Sequence, residues 1–162
     1  MLLKMKVFGL TIDPFTNVPI VILKDDGEKN ALPVWIGVLE ASAIASELEK
    51  VQYSRPMTHD LLKDLLKQVG VKVEKIEVND LRDNVYYATI HMTGVNGPFT
   101  MDSRPSDAIA LALRTGAPIF VESGVLDKSK SMDLKGEARE KSLTDEPSLD
   151  DFMPGDYGKY KM

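Results

Sequence analysis

The chain has 162 residues, no cysteine and a formal net charge of −5. That length suits one domain with its own core. The missing cysteines exclude disulfides, thiolate nucleophiles and zinc–thiolate sites. No apolar run reaches the roughly 18 residues of a membrane span, and residues 1–7 lack the apolar stretch of a signal peptide. A cytoplasmic protein with no membrane partner is therefore expected. The acidic balance speaks against a domain that grips nucleic acid mainly by neutralising phosphates. It suits one whose acidic side chains hold a divalent cation.

Taken in order, residues 6–12 and 18–23 are rich in strand formers and are separated by the turn cluster Asp13-Pro14-Phe15-Thr16-Asn17. Residues 32–36 make a third strand, with Pro33 marking an edge. The period then changes. Ala41, Ile44, Ala45 and Leu48 fall on one helical stripe, predicting a helix over 37–50. A second helix follows Pro56, with Thr58 as candidate N-cap and Leu61, Leu62, Leu65, Leu66 and Val69 as its buried side, and Gly70 stops it. Residues 71–78 alternate as a half-buried strand, and turns at Asp83-Asn84 and Asn96-Gly97 lead into strands at 85–92 and 99–102. The helix predicted over 104–115 is apolar on every side and so largely buried. A short strand at 118–121 ends the pattern. The predicted class is α+β, a mostly antiparallel sheet with helices packed on it, in the order βββααβββαβ. Apolar periodicity fades after Leu126. Residues 1–126 are read as the domain, and 127–162 as a polar, mostly disordered tail with a short helix where it leaves the body.

Three polar islands interrupt the core pattern. In the first, Glu40 stands in the first turn of a helix. It either complements the helix dipole or serves as a metal or catalytic carboxylate. Glu47, two turns along, is read as solvated. In the second, His59 and Asp60 stand at a helix start. They form either a capping turn at the surface or a metal ligand and general base. His91, the other histidine, lies mid-strand and is read as a cross-strand contact. In the third, Asp102, Ser103, Arg104, Ser106 and Asp107 surround the start of the buried helix. Capping explains Ser103 as N-cap and Pro105 in the first turn. It does not explain why Arg104 and both aspartates gather there. A helix start suits a phosphate, Arg104 can add a bidentate contact, and Asp102 and Asp107 can hold a cation.

The stretches Leu32-Pro33-Val34-Trp35-Ile36-Gly37 with Glu40-Ala41, Arg55-Pro56-Met57-Thr58-His59-Asp60-Leu61 and Asp102-Ser103-Arg104-Pro105-Ser106-Asp107-Ala108 resemble the bifunctional nuclease (BFN) domain in order and spacing. The likeness covers about residues 1–125. It implies cleavage of both DNA and RNA with little sequence choice. On that reading His59, Asp60, Arg104 and Asp107 are the catalytic candidates. Arg104, Ser103 and Ser106 would contact substrate, and Glu40, Asp102 and Asp107 would hold Mg²⁺ or Mn²⁺. The rival reading is a non-catalytic oligomeric regulator that binds a nucleotide, anion or protein. Nucleic acid is the expected substrate, and a homodimer or higher homo-oligomer the expected assembly, prompted by the edge near Pro33 and the aromatics Trp35 and Tyr53. P-loop, GxGxxG and HExxH motifs are absent.

Overall fold

In the computed structural model, which describes residues 1–140 and side chains through 131, seven strands form a single sheet. In chain order the elements are β1 (Leu2–Ile12), β2 (Pro19–Asp25), β3 (Ala31–Trp35), α1 (Val38–Leu48), α2 (Thr58–Gln68), β4 (Lys72–Arg82), β5 (Val85–Gly94), β6 (Gly97–Ser103), α3 (Pro105–Thr115), β7 (Ile119–Glu122) and α4 (Ser123–Glu140). The strand order is β3-β2-β1-β7-β4-β5-β6. Only β4 and β7 run parallel; every other neighbouring pair is antiparallel. The class and the order of the first ten elements are those read from the sequence.

The sheet is curled. β3 and β5 stand five strand positions apart, about 24 Å at the usual spacing of a flat sheet. Yet the Tyr86 hydroxyl of β5 donates to the Pro33 carbonyl of β3 at 3.1 Å. Register shifts at Val7/Gly9 in β1, and at Val73/Lys75 and Val78/Asp80 in β4, supply bends of the kind that allow this. They also break the strict alternation expected over 71–78. Met5, Val21, Leu23, Leu32, Ile76, Val78 and Val121 fill the concave side.

The α3 segment Ala108-Ile109-Ala110-Leu111-Ala112 is wholly buried. Its alanines let α1, α2, β4 and β5 all pack close to it, which makes α3 the central helix. Arg104, not Ser103, is its N-cap, with Pro105 at the first position; Gly116 ends it in the left-handed conformation at φ 73°. In α2 the N-cap is Met57, and Thr58 is already helical. The apolar stripe of α2 corrects the sequence reading more deeply: no residue of this helix is buried, and Leu61 and Leu65 are 60% and 56% exposed. The stripe exists, but α2 packs mainly on α3, and most of its leucine face is turned outward.

Residues 1–130 form one compact unit. Within it, Val125, Leu126 and Ser129 at the start of α4 are buried, and Ser129 exchanges a hydrogen bond with Tyr86. The segment read as a tail is thus helical through Glu140. The remainder of that segment lies outside the described residues.

Candidate functional site

Three helix starts meet at one cleft of about 610 Å³. Gly37 caps α1, Met57 caps α2 and Arg104 caps α3, and the polar islands ride on these ends. Arg104 joins them. Its Nη1 donates to Glu40 Oε1 at 2.8 Å and its Nε to Asp107 Oδ2 at 2.9 Å. The other Asp107 oxygen, Oδ1, lies 2.9 Å from His59 Nε2. The result is a continuous chain Glu40–Arg104–Asp107–His59 linking all three helices. The Arg104 side chain is 65% exposed, whereas His59 is only 14% exposed.

Each group is tuned by its neighbours. Burial pushes the Asp107 carboxyl upward, but hydrogen bonds from His59 and Arg104 outweigh it and hold the group below the ordinary carboxylate range. The hydrogen bond to Asp107, with that carboxylate's charge and then the bond to Glu40, raises Arg104 above its already high value. Gly37 shapes the first corner: a Cβ there would collide with the Glu40 carboxylate, which folds back over the cap on its way to Arg104.

Asp60 has a different employment. It does not line the cleft. Its Oδ1 accepts from Nε of Arg114 at 2.8 Å and its Oδ2 from the Met57 amide at 3.1 Å. Arg114 is only 3% exposed, and it also donates to the Ala110 and Ala43 carbonyls. It thus ties α1, α2 and α3 together in the wall of the cleft. Sequence reasoning missed Arg114, although a signal was there. Asp107 and Arg114 stand seven residues apart, two turns along one face of α3, and His59 and Asp60 meet them one each.

Asp102 is set apart from the other candidates. In the β5–β6 register it faces Thr89, while Met101 faces Ile90. Ile90 and Met101 line the cleft. Asp102 itself also borders the cleft, but alternation along β6 directs its carboxylate away from the Met101 side, and its charge acts on Arg82. Ser103 borders the cleft and donates to the Arg104 carbonyl at 2.8 Å, while Ser106 is buried in the first turn of α3. Glu47 pairs with Lys50, its side chain 25% exposed. His91 Nε2 stands 3.3 Å from Glu77 across β4–β5, an ion-pair distance without hydrogen-bond geometry.

Among the described residues, no three His, Asp or Glu side chains gather as a set able to hold a metal ion. The reason is visible at the centre of the site: the Arg104 guanidinium already occupies the position between Glu40 and Asp107 that a cation would take. The residues present do not fit a resident Mg²⁺ or Mn²⁺. Below the polar rim the cleft is apolar, with Leu62, Leu66, Ile90, Met92 and Met101 in its walls and Tyr53 at its edge.

A curled α+β sheet with three helix starts joined by one arginine, on a floor of methionine and leucine, defines a small cleft-bearing domain suited to an anionic ligand with an apolar part. The sequence matches the bifunctional nuclease domain over residues 21–133, and the chain belongs to that family. It is 37% identical over 123 residues to the uncharacterized protein Rv1829 of Mycobacterium tuberculosis, covering 76% of this chain and 73% of that one. It is 28% identical over 117 residues to bifunctional nuclease 2 of Oryza sativa subsp. japonica, and 29% over 105 residues to bifunctional nuclease 2 of Arabidopsis thaliana. These matches span 70% and 63% of this chain but 36% and 32% of the plant proteins. No helix among the described residues is long and apolar enough to cross a membrane.

Proposed function

We propose that the chain hydrolyses phosphodiester bonds of DNA and RNA in the cytoplasm with little sequence choice, His59 acting as general base and Arg104 as the phosphate contact. The observation that supports this most is the chain Glu40–Arg104–Asp107–His59 at the mouth of the cleft. In this reading a substrate phosphate draws the exposed guanidinium of Arg104 into a bidentate contact. Asp107 accepts from His59 Nε2, which fixes the tautomer and leaves Nδ1 to take the proton of an attacking water. As the imidazolium forms, the Asp107 carboxylate stabilises it and Arg104 faces the charge growing on the phosphoryl oxygens; the P–O ester bond to one nucleoside breaks, its departing oxygen takes a proton from solvent water, and His59 later returns its proton to solvent. Ser103 at the rim is a further substrate contact. No step is routed through a metal, because the residues present do not fit one. A Mg²⁺ or Mn²⁺ contribution is therefore reduced to a cation that arrives with the substrate.

The test is turnover of single-stranded RNA and DNA by highly purified protein, with EDTA, Mg²⁺ and Mn²⁺ arms. His59→Ala and Arg104→Ala, purified identically, are the contamination controls. Turnover should fall by about 100-fold or more in His59→Ala. Equal rates in all three preparations would assign the activity to a contaminant. The rival, a non-catalytic oligomeric module, is favoured by the outward leucine face of α2, which suits a second copy of this chain. It requires binding of a nucleotide, anion or protein without turnover.

A further inference from the structure

The Glu40–Arg104 pair borders two clefts, not one. On one side lies the 610 Å³ cleft with His59, Asp107 and Tyr53. On the other lies a groove of about 470 Å³ with Trp35, Val85 and Tyr86. Glu40 and Arg104 line both. Both volumes fall in the range of small-ligand sites. Each cleft also carries a half-exposed aromatic residue, Tyr53 at 48% and Trp35 at 40%. The indole N–H of Trp35 donates to Asp13 Oδ2 at 2.9 Å, which tethers the ring.

We propose that a single nucleic-acid strand crosses the Glu40–Arg104 pair, seating one base beside Tyr53 and the adjacent base beside Trp35, with the connecting phosphate at Arg104. This deepens the nuclease reading and rests on it. The argument is one of matching chemistry. A strand alternates flat apolar rings with single negative charges, and here one exposed cation stands between two apolar recesses that each hold an aromatic side chain. Stacking on aromatic faces tolerates any base, which suits an enzyme with little sequence choice. A ring already tethered, as Trp35 is by Asp13, loses little freedom when a base stacks on it. A duplex does not fit this path, because its bases are paired and stacked on one another and are not available to separate recesses. The smallest ligand that fills both clefts is a dinucleotide.

Trp35 is the only tryptophan in the chain, so its fluorescence reports on the second groove alone. The full-length His59→Ala variant, used to prevent turnover, is titrated with a mononucleotide, a dinucleotide with one linking phosphate, and a tetranucleotide. Quenching is expected with the dinucleotide and tetranucleotide but not with the mononucleotide. In the parent, Trp35→Ala should raise KM for a short single-stranded oligonucleotide about tenfold with kcat held near its original value, the loss expected of one stacked base. Trp35→Phe, which keeps an aromatic face, should restore most of that loss. Absence of quenching by a dinucleotide that fluorescence anisotropy shows to be bound, or an unchanged KM in Trp35→Ala, overturns the path. Equal losses in the Ala and Phe variants also overturn it, since they point to the fold. Hydrolysis by the parent without these effects leaves the nuclease reading standing and removes only the strand path. Length-dependent quenching without any hydrolysis does the reverse.

Discussion

Replacing Asp60 with alanine removes the carboxylate that faces Arg114 and leaves the fold to absorb a buried guanidinium. Arg114 is only 3% exposed, so the charge cannot recover its water. Breaking one partner of a buried pair costs about 3–5 kcal/mol in general. The figure here falls toward the lower end, because Asp60 is 33% exposed and Arg114 keeps its bonds to the Ala110 and Ala43 carbonyls. The same change removes the carboxylate that accepts from the Met57 amide, a cap worth about 0.5–1 kcal/mol. Together the expected loss is about 3.5–4 kcal/mol, or roughly 12 °C in Tm for a domain of this size. Urea unfolding of the full-length chain measures it, with the exposed Asp64→Asn on the same helix as a control expected to lie within about 0.5 kcal/mol. The double variant Asp60→Ala/Arg114→Met, which no longer buries an unpaired cation, should recover part of the loss. At a temperature where Asp60→Ala remains folded, turnover per folded molecule should stay within about threefold of the parent, because Asp60 does not line the cleft. A stability change below about 0.5 kcal/mol would refute the staple. Normal stability with abolished turnover would return Asp60 to the catalytic group.

Other consequences are equally open to measurement. Gly37→Ala has ordinary backbone geometry, with φ −73°, yet its Cβ must displace the Glu40 carboxylate. It should change stability by less than about 1 kcal/mol and weaken substrate binding through Arg104; a crystal structure showing the Glu40–Arg104 contact intact would contradict this. The depressed carboxyls of Asp60 and Asp107 stabilise the fold above the unfolded-state value near 3.9. Their contribution is lost as pH falls through the lower folded-state values, so stability should be flat with respect to these two groups from pH 7 to 5 and should drop below about pH 4. Asp107→Asn should flatten that acid limb, and an unchanged limb would show that other groups carry it. Arg104→Lys keeps the charge but not the fork, and should raise KM more than it lowers stability. Leu61→Glu/Leu65→Glu on the outward face of α2 should convert a sedimenting oligomer to monomers without loss of Tm. A parent that is already monomeric at high micromolar concentration removes the self-association proposal.

Much of the fold was legible because period, turn chemistry and composition act locally. The β-rich start, the change of period at residue 37, the meander after Gly70 and the apolar helix stopped by Gly116 all follow from neighbours in the chain. The polar islands were legible for a related reason. Charged residues crowding the start of an apolar helix exceed what capping requires, and in that excess Arg104 and Asp107 stood out.

Tertiary structure decided the rest. Periodicity in α2 states that a leucine stripe exists; it does not state that this chain supplies a surface to cover it, and Leu61 and Leu65 face outward. Asp102 and Asp107 are close in sequence and both border the cleft, but the alternation of a strand directs the Asp102 carboxylate away from the Met101 side, while the start of α3 brings Asp107 to His59 and Arg104. The partners of His59 and Asp60 lie 48 and 54 residues away on α3, at separations no local pattern encodes. Local spacing could nominate the residues of this site. Only the packing of three helix ends around the buried alanines of α3 determined which carboxylate meets histidine, which meets a buried arginine, and which meets neither.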